Sequence, residues 1–326
     1  MLQFTVGENE ANQRLDKFLK KYLKGAPLSY IYKLIRKDVK INGKRMPIET
    51  ILSAGDQVAI YITQEEADSY RERKMAYNRS KRQFGIAFED ENLIIVEKPM
   101  GLLTHGDQTE KKNTLVNQVT GYLAEKGEYD PRTEKTFVPA AVNRLDRNTT
   151  GLVVFGKNSR TLQTLNKMIR DRDHLKKYYM TIVGGELKKE LILKDKMEKD
   201  ERSNTVRVVS RESEAGKDME TIVRPLASKG NFTLVEVELV TGRTHQIRAH
   251  LARAGHPVIG DSKYGDPSVN RAIDRKYGLT TQFLHAYRLR FTNCAPPLEY
   301  MEGREVTAPL PPALAEIRKD LFGEVK

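Results

Sequence analysis

The sequence predicts an α+β protein in which a mixed sheet flanked by helices follows a small, basic helical unit. Three observations carry this reading. From Ile86 onward, short β-type runs are interrupted by helical stretches, but not in regular βαβ order. Residues 1 to 62 form a compact pattern of their own, and residues 63 to 85 between the two are dense in charge and poor in apolar side chains. A doubly wound parallel sheet needs regular crossovers, so the mixed arrangement is preferred.

In the first unit, Leu15, Phe18, Leu19, Tyr22 and Leu23 recur at helical spacing, with Arg14, Lys17, Lys20, Lys21 and Lys24 on the other face. Ser29 is placed to cap a second short helix carrying Ile31, Leu34 and Ile35. Val39 and Ile41 run into the tight-turn pair Asn42-Gly43, and Gly55-Asp56 turns the chain again before Val58, Ile60 and Ile62, which completes a hairpin. The stretch from 63 to 85, with Arg71-Glu72-Arg73-Lys74 and Arg79-Ser80-Lys81-Arg82, reads as a tether with its own affinity for phosphates. In the large unit, 86 to 326, Leu93-Ile94-Ile95-Val96 is a buried strand ending at Lys98-Pro99. A helix capped by Ser159 carries Leu162, Leu165, Met168 and Ile169; Tyr178–Val183 and Phe232–Val240 are strands. Ile247–Ala254 is a helix closed by Gly255. No internal repeat or low-complexity tract is present.

Composition narrows the class. The 326 residues hold 56 Lys+Arg against 44 Asp+Glu, a net charge of +12, and 39% hydrophobic residues. That is enough apolar matter for a real core, and a field that favours polyanions. No apolar run approaches the length of a membrane span, and Met1-Leu2-Gln3-Phe4 lacks a charged region followed by an apolar one, so no signal peptide is expected there. The lone Cys294 excludes an internal disulfide and any Cys-based zinc cluster and fits a reducing cytoplasm, so a cytoplasmic protein that binds polyanions, nucleic acid before a membrane surface, is expected.

Three segments look unlike scaffold. In Asn143-Arg144-Leu145-Asp146-Arg147-Asn148-Thr149-Thr150-Gly151 a carboxylate stands between two arginines at the mouth of an apolar strand, an arrangement that suits a nucleophile or general base and that an ordinary surface turn also shows. In Lys177-Tyr178-Tyr179 strand alternation sends the two phenols to opposite faces, so only one of them is expected in the core. In Thr241-Gly242-Arg243-Thr244-His245-Gln246-Ile247-Arg248 a strand ends and a short helix buries Ile247 and Leu251, leaving Arg248 to reach sideways toward a carboxylate.

Together these segments resemble the RluA family of RNA pseudouridine synthases over about residues 86 to 300. Arg144-Leu145-Asp146 with Thr149-Thr150-Gly151-Leu152 fits the first motif, and Lys177-Tyr178-Tyr179 fits Lys-x-Tyr. Gly242 to Arg248, His250-Leu251, Gly255-His256-Pro257, Gly260-Asp261 and Tyr264-Gly265 fit the third. The first unit resembles an S4 RNA-binding domain through Arg14-Leu15-Asp16-Lys17-Phe18-Leu19, Leu34-Ile35-Arg36-Lys37, Val39 to Lys44 and Gly55 to Val58. The resemblance implies a mostly antiparallel catalytic sheet and a cofactor-free, metal-free isomerisation acting on large-subunit (23S-type) ribosomal RNA; nothing in the sequence suggests an obligate dimer, so a monomer is expected. It implies Asp146 as the reacting carboxylate, attacking the nucleotide or taking a sugar proton, with Arg248 paired to it. Tyr179 would stack on the extruded uracil and help remove the C5 proton, and Arg144 would fill the vacated stack. Asn143, Lys177, Arg243 and His245 would contact RNA at the site, and Arg14, Lys17, Arg36 and Lys37 would do so in the S4-like unit. Asn143 stands where the family usually has His, which is expected to alter RNA contacts or turn packing. The rival readings are an S4-type ribosome-assembly factor of little or no activity, which would not need Asp146, Tyr179 and Arg248 together, and a pseudouridine synthase acting on transfer RNA.

Two patterns are set aside. Gly151 to Asn158 nearly spells a phosphate-binding loop, but Leu152-Val153-Val154-Phe155 belongs in a buried strand. His245, His250 and His256 with Asp261 lack ligand spacing, so no metal is expected there.

Overall fold

The computed structural model describes residues 1–70, 81–172, 174–200, 205–214 and 216–324. Much of the tether's charge run, Arg71 to Lys74 and Arg79-Ser80, lies outside them.

The N-terminal unit consists of β1 (Leu2–Thr5), α1 (Leu15–Tyr22), α2 (Leu28–Lys37), β2 (Val39–Ile41), β3 (Gln57–Ile60) and α3 (Gln64–Tyr70). Its core is the apolar set read from the sequence, Leu15, Phe18, Leu19, Ile31, Leu34, Ile35, Val58 and Ile60, joined by Ile62 and Ala67. The expected hairpin pairs β2 with β3 antiparallel, and β1 adds a third strand on the other side of β3. Because Ala67 is buried in this core, the chain stays with the first unit beyond residue 62. Ser29 is not the cap: α2 starts after Pro27, whose extended backbone leads into the first turn.

The large unit is one eleven-stranded sheet in the order β10-β9-β11-β12-β8-β13-β7-β5-β4, with β14 on β13 and β6 on β7. In chain order it comprises β4 (Gly85–Glu89), β5 (Leu93–Lys98), α4 (Leu115–Glu125), β6 (Ala140–Ala141), β7 (Thr150–Gly156), α5 (Ser159–Asp171) and β8 (Leu175–Gly184). It continues through β9 (Leu191–Asp200), β10 (Thr205–Val209), β11 (Lys217–Lys229), β12 (Phe232–Leu239), α6 (Gln246–Arg253), α7 (Pro267–Tyr277), β13 (Leu284–Phe291), β14 (Glu305–Thr307) and α8 (Pro312–Phe322). Every pairing between these strands is antiparallel except β7 with β13.

Alternation along β5 and β7 builds two cores. Ile94, Val96, Val153 and Phe155 pack with Leu115, Val119 and Leu123 of α4 and with Ile247 and Leu251 of α6. Leu93, Ile95, Leu152 and Val154 face the other way, onto Leu165 and Met168 of α5. Since both sheet faces are covered, the expectation that one of Tyr178 and Tyr179 lies outside the core fails. Both are buried, and the Arg288 guanidinium lies 4.2 Å from the centre of the Tyr178 ring. The cap of α5 is Asn158, one residue before the expected Ser159; its side chain accepts from Thr161 N.

The N-terminal unit is bonded to the large one. The Glu10 carboxylate, buried, accepts from Lys135 N at 2.8 Å and Gly7 N at 3.2 Å. Asn9 accepts from Ser159 N at 2.9 Å and donates to Glu134 at 2.8 Å.

Candidate active site

On the sheet face covered by α4 and α6, the turn before β7, the loop before α6 and strand β8 surround a cleft of about 810 Å³. The turn is held by its backbone rather than by its charges. Asn143 donates to Leu152 O at 3.1 Å and accepts from Val154 N at 2.9 Å. Thr104 Oγ1 accepts from Leu145 N and donates to Leu145 O. Lys98 Nζ donates to Arg147 O, Pro99 O and Leu102 O, all within 2.9 Å. Beyond the turn, Gly151 is required by close approach: its φ is +110°, and a Cβ there would lie 2.1 Å from Ala286 O, where β7 meets β13 in parallel. Asp146 is thus presented on a fixed loop, with its side chain partly exposed to the cleft.

Arg248 is the hub. Its Nη1 donates to Asp146 Oδ2 at 2.9 Å, while Nε and Nη2 grip both oxygens of Asp261 at 2.6 and 2.8 Å. Asp261 is fully buried and also accepts from Lys263 N and Tyr264 N. Burial works against both charges. The paired charges and hydrogen bonds outweigh it, holding the Arg248 affinity for its proton above the ordinary value and that of Asp261 below. The Tyr264 ring lies 5.3 Å from the guanidinium carbon, and its hydroxyl meets His245 Nδ1 at 3.1 Å.

His245 begins α6 in the left-handed region, with φ 51°, a conformation favouring few residues outside glycine. This places its Nε2 4.0 Å from Asp146 Oδ2. Burial lowers the imidazole's affinity for a proton, and Asp146 partly offsets that. Gln246 fixes the loop, accepting from Thr241 Oγ1 and Arg243 N and donating to Glu220 O and Thr221 Oγ1. Tyr179 lines the same cleft; burial, with the charge of Asp146 added, raises its phenol well above the usual range and keeps it neutral.

Asp146, Tyr179, Arg248, Arg144, Arg243, His245 and Lys177 therefore meet around one cleft, having come from three separate segments. Arg144 is exposed at its edge, and Arg243 Nε is partly engaged with Asp218 O. Asn143 also lines the cleft, with both ends of its amide bonded to β7. Arg14, Lys17, Arg36 and Lys37 lie on the N-terminal unit and do not line the cleft; Arg14 is paired with Asp16. Sequence reasoning missed Asp261 as the orienting carboxylate, although Gly260-Asp261 stood in the third motif. It also missed Lys98, whose only signal was a charge inside an apolar strand. His245, His250 and His256 bond separately, to Tyr264, Thr221 and Gly184 O.

A model described as RNA pseudouridylate synthase matches residues 92–253. The ribosomal large subunit pseudouridine synthase C of Vibrio vulnificus is 33% identical over 97% of this chain and 95% of its own. Its namesake in Escherichia coli strain K12 is 34% identical over 88% of each chain. The fold resembles human RNA pseudouridylate synthase domain containing 4, with a TM-score of 0.56 at 24% identity, covering 73% of this chain and 92% of that one.

Proposed function

Because the chain belongs to the RNA pseudouridylate synthase family, we propose that it converts specific uridines of large-subunit ribosomal RNA to pseudouridine. The observation that carries the reading is a single carboxylate, Asp146, held at 2.9 Å by a buried arginine beside a buried phenol in an open cleft. The reaction breaks the bond from N1 to C1′, turns the base, and joins C5 to C1′; C5 loses a proton and N1 gains one. Atoms and electrons balance within the nucleotide, so the chemistry calls for a placed acid–base group and a site for the free base. A stacked uridine has to leave the helix to reach such a cleft. Asp146 is the reacting carboxylate, and Arg248 fixes its direction. Tyr179 stays neutral and provides a flat apolar platform for uracil. Arg144, which has no partner among the described residues, is free to occupy the gap in the RNA. The N-terminal unit, S4-like in its sequence, supplies the phosphate grip through the exposed Lys17, Arg36 and Lys37.

Carbodiimide mapping of ribosomal RNA from cells lacking the protein tests this. Specific adducts should disappear from the large-subunit RNA, return with the wild-type protein and stay absent with Asp146→Asn. An unchanged adduct pattern defeats the proposal. Removing residues 1–62 should weaken RNA binding and flatten its dependence on salt; equal slopes remove the anchor role.

A further inference from the structure

The cleft contains a cation that the protein leaves without a counterpart. Lys177 is 8% exposed and lines the cleft, yet among the described residues its ammonium makes no hydrogen bond or ion pair. Lys98 shows what a buried lysine ordinarily does, since its ammonium is satisfied by three carbonyls. Tyr179, two residues further along β8, lines the same cleft. Burial alone lowers the affinity of Lys177 for a proton, to about 8. A desolvated ammonium is unfavourable unless it is paired.

The missing partner has a definable chemistry. A neutral uracil oxygen would not balance a full buried charge, and Asp146 is already bonded to Arg248. Lys177 precedes Tyr179 by two residues on β8, so both side chains leave the same strand face roughly 7 Å apart. That spacing suits a nucleotide laid along the strand, with its base on the phenol and its phosphate on the amine. We propose that Lys177 is the subsite for a phosphodiester flanking the target uridine, the ion pair forming only when RNA enters. This rests on the reading of the cleft as a uridine site.

The test is a binding cycle on full-length Asp146→Asn protein, with an RNA hairpin carrying the mapped uridine and a neutral methylphosphonate at its 5′ or 3′ linkage. Lys177→Met should weaken binding of the normal RNA at least about tenfold, which is about 1.4 kcal/mol. One methylphosphonate should cost a similar factor, and the two changes together no more than either alone. In otherwise wild-type protein, the loss from Lys177→Met should fall chiefly on KM, with partial rescue by Lys177→Arg. The RNA-free Lys177→Met protein should melt at or above the wild-type temperature, because an unpaired buried charge has gone. Additive losses at both linkages, a loss confined to kcat, or a lower melting temperature would each overturn the assignment. The binding cycle needs no turnover, so its failure is separable from failure of the isomerase reading, which wild-type pseudouridine formation reports.

Discussion

Arg248 joins two regions that treat a carboxylate in opposite ways. In the turn at 261–264, Asp261 is fully buried, gripped through two guanidinium nitrogens, and further bonded by two backbone amides. In the turn at 143–150, Asp146 receives one guanidinium bond at 2.9 Å and keeps part of its surface open to the cleft. The first carboxylate is saturated and fixes the arginine; the second is aimed by that arginine and left with lone pairs to use. Under the proposed function, positioning and reacting fall to different residues of one type. Only the saturated one carries a large stability role, because it is the fully buried acid and supplies two of the three bonds to the buried Arg248.

Substitutions at the two positions should therefore separate activity from stability. Asp146→Asn should lower the rate of pseudouridine formation by at least about 10⁴-fold, with a near-normal unfolding midpoint. Asp261→Asn should destabilise the protein by roughly 3–5 kcal/mol in urea unfolding and reduce activity less severely. If Asp146→Asn proves the more destabilising, the division of roles between the two acids is wrong. A smaller effect follows from the two buried lysines. Their affinities for protons lie near 7 for Lys98 and 8 for Lys177, against 10.5 for the free side chain. The unfolded chain then binds more protons than the folded one between about pH 7 and 10, so stability should rise with pH across that window. Lys177→Met should remove roughly 2 kcal/mol of that rise above pH 8, read from urea midpoints at successive pH values. A rise of undiminished size places the titration elsewhere.

How far the sequence could be read differed by element. Periodicity located α1, α2, β5, β8, β12 and α6 within a few residues, because the helices each carry an apolar stripe and the strands are short apolar runs. The antiparallel set of β9, β10 and β11 was not anticipated: β9 and β11 carry lysine, aspartate and glutamate among their apolar residues, and β10 is only five residues long. Asp146, Tyr179 and Arg248 were legible because their motifs have fixed spacing. Asp261 and Lys98 were not singled out, since a carboxylate's burial and a lysine's three carbonyls depend on residues far away in the chain.

The sequence by itself determined an α+β chain and its basic character, and it singled out the acid, phenol and guanidinium proposed for the site, since these follow from residue type and local pattern. The tertiary structure alone decided that Arg248 is shared between two acids, that both ends of the Asn143 amide are bonded to β7, and that Lys177 is buried without a partner among the described residues. Those facts depend on strands distant in sequence being brought side by side. Burial and pairing, which set the energy of a charge, exist only once that packing is made.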